Sequence, residues 1–288
     1  MPSEPSARRE QPSTYFVQDR SSKAERDRVT IQDQMLTHSM GGVLPEQPDP
    51  ALFHHILDVG CGTGSWLIDA AKAYPDMTTL VGADISISMV EYARKLAQEQ
   101  GVSDRVEFSV MDALRKLEFP KGSFDLVNQR MGVGYLRTWD WPNLLQEYRR
   151  VTRSGGVIRI TEGEIIANTN SPAVNKLSEI SCDALFHAGH LFENECPGIT
   201  HKLGELLHQQ GLQNVQTRRV LIDHTEPGMM DMEKENIKLI FRTMLPFLQK
   251  WSRVPKDYDQ LYQQALQEMD RPDFTSIWEM ATAWGTNP

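Results

Sequence analysis

Cysteine is scarce in this chain: Cys61, Cys182 and Cys196 are the only three in 288 residues, and no two stand as a C-x-x-C pair. They cannot build a disulfide framework, and reduced thiols are the plain expectation. Long apolar runs are missing as well. No stretch is long enough to span a bilayer, and the first residues lack the apolar region of a secretory signal, so a cytoplasmic protein is expected. A basic surplus is also absent, with 30 Lys and Arg against 39 Asp and Glu and a net charge of −9. Neutralising phosphates requires a concentrated basic face, so a nucleic-acid partner is not expected. The dinucleotide fingerprint G-x-G-x-x-G fails in both registers: counted from Gly60 its third glycine falls on Ser65, and from Gly62 on Leu67.

What the chain does have is Ile56-Leu57-Asp58-Val59-Gly60-Cys61-Gly62-Thr63-Gly64. A short apolar run ends in an acid and breaks into alternating glycines, and a helix follows directly. That is the pattern of a buried parallel strand entering a tight turn, where a ligand is expected to lie against bare backbone and near a helix N-terminus. A second strand, residues 79–83, ends at Asp84, where a carboxylate can accept from both hydroxyls of a ribose. A third, residues 106–110, runs into Met111-Asp112-Ala113. The D-V-G-C-G-T-G turn, together with these strand ends, resembles motif I and its companions in the class I S-adenosylmethionine (SAM)-dependent methyltransferases. The resemblance spans residues 56 to about 162. More narrowly, Asn128-Gln129-Arg130, Trp139-Asp140-Trp141 and Glu147-Tyr148-Arg149-Arg150-Val151 look like small-molecule methyltransferases of secondary metabolism. No N-P-P-Y follows the fourth strand, so methylation of nucleic acid or of protein amides is not expected.

The rhythm along the chain predicts an α/β fold with a doubly wound, mostly parallel seven-stranded sheet and helical lid insertions. Strands are expected at 56–59, 79–83, 106–110, 124–127, 157–161 and 214–222, and helices at 65–74, 86–100, 140–151 and 200–210. Residues 154–156 read as a turn, and 274–285 as a closing strand. Residues 1–13 read as a disordered leader, 14–50 as an N-terminal helical lid, and 51–288 as the cofactor domain, with insertions at about 165–198 and 228–270. Helices are expected at 172–191, 229–251 and 258–269 within those insertions. A helix over 19–38 has two readings: a cover over the ligand, or a surface helix packed on the sheet edge.

The resemblance implies SAM as cofactor, with S-adenosylhomocysteine (SAH) as product. It implies cofactor contacts from Asp58, Gly60, Gly62, Gly64, Asp84, Ile85, Met89, Met111, Asp112, Ala113, Asn128 and Gln129. Arg130, Tyr135 and Glu164 are candidate substrate contacts. Glu162 is the first candidate base, because a carboxylate at the end of the fifth strand is expected to face the transfer path; its plain alternative is a structural cap or ion pair. His187 and His190 are further candidates. They stand at i,i+3, and Glu193 or Glu195 would complete a metal set, but methyl transfer needs none and no metal site is expected. The functional expectation is a methyltransferase acting at oxygen or carbon of a small, fairly apolar metabolite, as a monomer or homodimer. The alternatives are a SAM-using cyclase or rearrangement enzyme without net methyl transfer, and a non-catalytic SAM-binding regulator.

Overall fold

The strands that carry the glycine turn and its neighbours form the parallel half of an eight-stranded sheet. The computed structural model describes residues 13–165, 167–194, 198–223 and 228–288. The expected leader therefore lies almost wholly outside the described residues, as do Glu195 and Cys196.

The elements in chain order are α1 (Lys23–Ser39), β1 (His55–Val59), α2 (Ser65–Ala73), β2 (Thr79–Asp84), α3 (Ile87–Glu99), β3 (Val106–Val110), β4 (Phe124–Arg130), α4 (Trp141–Val151) and β5 (Thr152–Gly163). They continue with β6 (Asn168–Thr169), α5 (Pro172–His187), α6 (Leu203–Gln209), β7 (Gln213–Asp223), α7 (Met229–Thr243), α8 (Leu245–Trp251), α9 (Tyr258–Met269) and β8 (Ser276–Thr286). The sheet runs β3-β2-β1-β4-β5-β8, with β7 and the two-residue β6 both pairing β8. β3 through β5 are mutually parallel, and β8 is antiparallel to each of its partners. The eighth strand beyond the expected seven is β6.

Local chemistry explains most of these boundaries. Ser86 caps α3 by accepting from the Met89 N–H at 3.4 Å. Leu144, Leu145, Tyr148 and Val151 form the buried face of α4. Asp125 accepts the backbone N–H groups of His54 and His55, both at 2.8 Å, and fixes the entry to β1.

Three expectations are corrected. Residues 154–156 are not a turn before β5. Gly155 takes φ 75°, and the β4–β5 register shifts between Phe124 and Leu126, so a bulge lets the strand begin at Thr152. The helix expected over 229–251 breaks at Met244, because Pro246 has no N–H to continue it. The helix expected over 172–191 stops at His187, ahead of Gly189 at φ 88°.

Apolar side chains pack on both sides of the sheet. α2 and α3 cover one face, with Trp66, Leu67, Val90 and Phe108; α4, α5 and α6 cover the other, with Trp141, Leu145, Tyr148 and Leu177. α1 packs beside α7, where Met35 and Leu36 meet Met229, Trp278 and Met280. That packing lays α1 across the carboxyl ends of the parallel strands. Among the described residues no helix is long and apolar enough to cross a membrane.

Candidate functional site

A cavity of about 350 Å³ opens beyond the carboxyl ends of β1, β2 and β3, where open α/β sheets collect ligands. Its floor is the glycine turn. Gly60 and Cys61 donate to the Ala83 carbonyl at 2.8 and 3.1 Å, which pins the turn to β2. The Gly62 N–H donates to one Asp84 oxygen at 2.9 Å, and the Ser86 N–H to the other at 2.8 Å. Asp84 is thereby held at the end of β2 with both oxygens oriented. A carboxylate oxygen has more than one lone pair, so each can accept again from a ligand diol. Ile85, Met89, Met111, Asp112, Ala113 and Leu114 continue this wall. Asp112 is fixed by the Leu114 N–H at 3.0 Å and by Arg115 at 3.2 Å.

Asp58 also lines the cavity, although only 4% of it is exposed. Burial pushes its pKa up to about 7, against the opposing pull of the Asn128 hydrogen bond and Arg159, while Asp84 pushes it further up. The Asn128 amide donates to Asp58 Oδ1 at 2.7 Å, and Arg159 donates to Asn128 Oδ1 at 2.8 Å. Arg159 is in turn paired with Glu46 at 2.7 Å.

Several residues expected at the ligand lie elsewhere. Gly64 is absent from the cavity wall; with φ 73°, it packs where a Cβ would lie 2.5 Å from the Phe108 ring. Gly60 does line the cavity, and a Cβ there would also meet the Tyr135 hydroxyl at 2.7 Å. Asn128 acts through Asp58, which it faces in the β1–β4 register. Gln129, one residue on, points to the opposite face and accepts from the Tyr148 hydroxyl at 2.8 Å.

Glu162 is fully buried and does not line the cavity. β5 runs on to Gly163, so Glu162 continues the buried Ile158–Ile160 face instead of standing past the strand end. Its carboxylate accepts from the Gly132 N–H (2.7 Å), the Val133 N–H (3.2 Å) and Gln129 Nε2 (3.0 Å). Even so, burial raises its pKa to about 8. Glu164 accepts from the Gly198 N–H at 2.7 Å and from the Thr200 hydroxyl, also away from the cavity. His187 is exposed, with Nδ1 2.8 Å from the Asp183 carbonyl. His190 is buried with Nδ1 2.8 Å from the Val133 carbonyl, and burial holds its pKa below the usual histidine range. Neither histidine reaches the cavity. No group of three or more His, Cys, Asp or Glu among the described residues could hold a metal.

Arg130 and Tyr135 do line the cavity. Arg130 is paired with Asp33, donates to Thr37 Oγ1 at 3.1 Å and lies 5.8 Å over the Trp66 ring. Burial, with Arg159 nearby, pushes its pKa down to about 9. The opposite wall was not located residue by residue from the sequence: it comprises residues 13–15 together with Arg20, Arg28, Val29, Gln32, Asp33 and Leu36. The signal was present, because Val29, Gln32, Asp33 and Leu36 fall at i, i+3, i+4 and i+7, one face of α1. Behind them Arg28 holds Glu25 through two hydrogen bonds of 2.9 and 2.8 Å, and the Tyr15 hydroxyl donates to Glu25 at 2.6 Å.

Comparison with known proteins agrees with this geometry. Residues 56–156 match the family described as "Methyltransferase domain". The matched segment carries the glycine turn and the three strand ends that resemble the class I SAM-dependent methyltransferases. The chain is 37% identical over 101 residues to demethylmenaquinone methyltransferase of Lactococcus lactis, a match covering 35% of the chain and 38% of that protein. It is 35% identical over 130 residues to aklanonic acid methyltransferase DauC of a Streptomyces species (strain C5), covering 45% of the chain and 57% of the relative. The matches thus span well under two thirds of these relatives. Among solved structures it is similar in fold to phosphoethanolamine N-methyltransferase 2 of Haemonchus contortus in complex with SAM. That likeness has a TM-score of 0.54 at 18% identity and covers 94% of the chain and 60% of that one. The wall from Asp84 to Leu114 fits the family's cofactor on its own chemistry: an anchored carboxylate for a diol, an acid beside it, and methionine and isoleucine side chains for a flat ring.

Proposed function

We propose that this protein transfers a methyl group from SAM to oxygen or carbon of a small, fairly apolar metabolite in the cytoplasm, as a monomer or homodimer and without a nucleic-acid partner. The observation that carries the reading is the cavity between the β1–β3 strand ends and α1. Asp84 would take the ribose, and Ile85, Met89, Met111, Asp112 and Ala113 the adenine. Asp58 and the Gly60–Gly62 turn would face the methionine end. SAM supplies a methyl group whose bond to sulfur breaks, leaving its electron pair on sulfur to give SAH, as an electron pair of the acceptor forms the new bond to carbon; any acceptor proton leaves to water.

The chain's part in such a displacement is alignment and exclusion of water, which can be worth roughly 7–11 kcal/mol. The α1 wall supports it. Residues 14–50 would act as a lid that shields the transfer point, with Val29, Leu36, Trp66 and Met131 supplying apolar surface and Arg130 and Tyr135 polar groups. The segments 165–198 and 228–270 would support that lid from outside, as α7 does by packing on α1.

The test is to incubate methyl-labelled SAM with the protein and a fractionated extract of its source, following label into small molecules, RNA and protein. Label in a single small-molecule fraction is the expected result. Tight SAM binding with no transferred label would replace this reading with a sensor or with SAM-dependent cyclisation.

A further inference from the structure

Three residues that the sequence marks for chemistry converge on one turn. Glu162 binds the N–H groups of Gly132 and Val133, Gln129 binds Glu162, and His190 binds the Val133 carbonyl. A carbonyl only accepts, so His190 donates from Nδ1, which fixes the neutral tautomer. The turn needs this support. Met131 holds φ 56°, a left-handed conformation unusual for a residue with a side chain. At Gly132 a Cβ would collide with the Gln129 amide. The N-terminal segment closes over the same turn, with Phe16 N–H donating to the Gly134 carbonyl at 3.0 Å and Thr14 Oγ1 to the Tyr135 carbonyl.

What the turn delivers is Tyr135. Its side chain lines the cavity, and its hydroxyl lies against Gly60 in the glycine turn. That hydroxyl is buried and makes no hydrogen bond of full geometry among the described residues, although the Tyr148 phenol stands close enough to interact with it. The neighbouring Tyr148 phenol donates instead to Gln129 Oε1 at 2.8 Å. Burial, with Glu162 and Asp84 nearby, raises the Tyr135 pKa, so it stays a proton donor at neutral pH. The Tyr148 oxygen offers at most a poorly aligned acceptor, so a buried donor facing a ligand cavity is a group that a ligand oxygen can satisfy better.

We propose that Tyr135 donates a hydrogen bond to an oxygen of the acceptor at the transfer end of the cavity, and that Glu162, Gln129 and His190 are positioning residues that act through the 131–135 turn. This rests on the methyl-transfer reading and narrows it. The acceptor carries an oxygen next to the methylated atom or is methylated on it, as in an enol, an enolate or a carboxylate. Tyr135 is then the catalytic residue of this chain, and Glu162 is not a base.

The test uses the full chain, labelled SAM and the extract fraction that takes label. Tyr135→Phe is expected to lower kcat/KM for transfer about 10- to 100-fold, with SAM and SAH affinities by calorimetry within about twofold of wild type. Glu162→Gln, which keeps the shape but offers an amide to donors, is expected to fall similarly. The double variant should be no worse than Tyr135→Phe alone, since both remove one contact. His190→Asn, which keeps an N–H for the Val133 carbonyl, should lose less than His190→Phe and gives a second route if Glu162→Gln fails to fold. Wild-type transfer by Tyr135→Phe overturns the proposal. So does a loss of SAM affinity that accounts for the whole defect, which would give the hydroxyl to the cofactor. Multiplying losses in the double variant would overturn the positioning role. An absence of transfer by the wild type itself defeats the methyl-transfer reading and this inference together, and is told apart by occurring before any substitution.

Discussion

The two walls of the cavity are built in different ways. The wall from Asp58 to Leu114 comes from consecutive βα units, and its three acids, Asp58, Asp84 and Asp112, sit at or next to the ends of parallel strands. The facing wall comes from residues 13–36 and 130–135, far apart in sequence and joined by the Arg130–Asp33 ion pair. In the first, backbone geometry orients the side chains: two N–H groups set Asp84. In the second, side chains orient one another, with Tyr15, Glu25 and Arg28 in one buried cluster and Asp33 on Arg130. A wall held by secondary structure should tolerate loss of one side chain; a wall held by buried charges should not.

The largest effect is therefore expected at Arg28. Arg28→Ala leaves Glu25 as an uncompensated charge that is 0% exposed, since both its oxygens are bonded by Arg28. Breaking a buried pair costs roughly 3–5 kcal/mol. The extension packs on the domain as a separate helix, so the loss should appear as protease cleavage within residues 13–39 before the domain itself melts. An extension as resistant as wild type would show that the two walls do not differ in this way.

Asp84→Ala tests the other wall. Its expected cost is about 1.5–3 kcal/mol in SAM affinity, the range for hydrogen bonds to a charged group, with the melting temperature little changed because β2 keeps its pairing to β1 and β3. Calorimetry giving an unchanged Kd would remove Asp84 from the ribose. A collapse of stability instead would mean that the Gly62 and Ser86 N–H groups need its carboxylate more than the ladder suggests.

The same contrast governs what was legible in the sequence. β1, β2, β3 and their terminal acids were readable because apolar run, acid and glycine are neighbours in the chain, and α4 because Leu144, Leu145, Tyr148 and Val151 share a helical face. Glu162 was misjudged because strand length decides whether a side chain stands past the sheet or inside it, and the bulge at Gly155 and the long pairing with β8 are set by partners distant in sequence. The histidines were ambiguous for a related reason. His187 and His190 share one helical spacing, but Gly189 ends the helix between them and turns only His190 inward. The cavity-facing stripe on α1 is periodic but polar at Gln32 and Asp33, and polarity alone does not distinguish water from a cavity.

The remaining prediction is a pH slope, and it separates the walls again. Asp58 and Glu162 both have folded pKa values raised, to about 7 and about 8, chiefly by burial. The folded state then keeps protons that the unfolded chain releases above about pH 4. Their contribution is fully present below that pH and is lost as pH rises through 7 and 8, so stability should fall with increasing pH across that window. The carboxylates of Glu46, Asp125, Glu147 and Glu268 are shifted down and act in the opposite sense, but only at acid pH. Urea midpoints measured from pH 5 to 9 should therefore decline, with a limiting slope of about 1.4 kcal/mol per pH unit for each group. Asp58→Asn should remove one group's share of the slope below about pH 7, and Glu162→Gln one group's share over the whole range up to about pH 8, including the part above 7 that Glu162 alone supplies. In the proposed binding mode saturating SAM would bring an ammonium toward Asp58, which would lower that acid's pKa and remove its share of the slope. Glu162, sealed behind the 131–135 turn, should keep its share with SAM bound. If SAM flattens both parts equally, Glu162 is in electrostatic contact with the ligand and the turn does not isolate it.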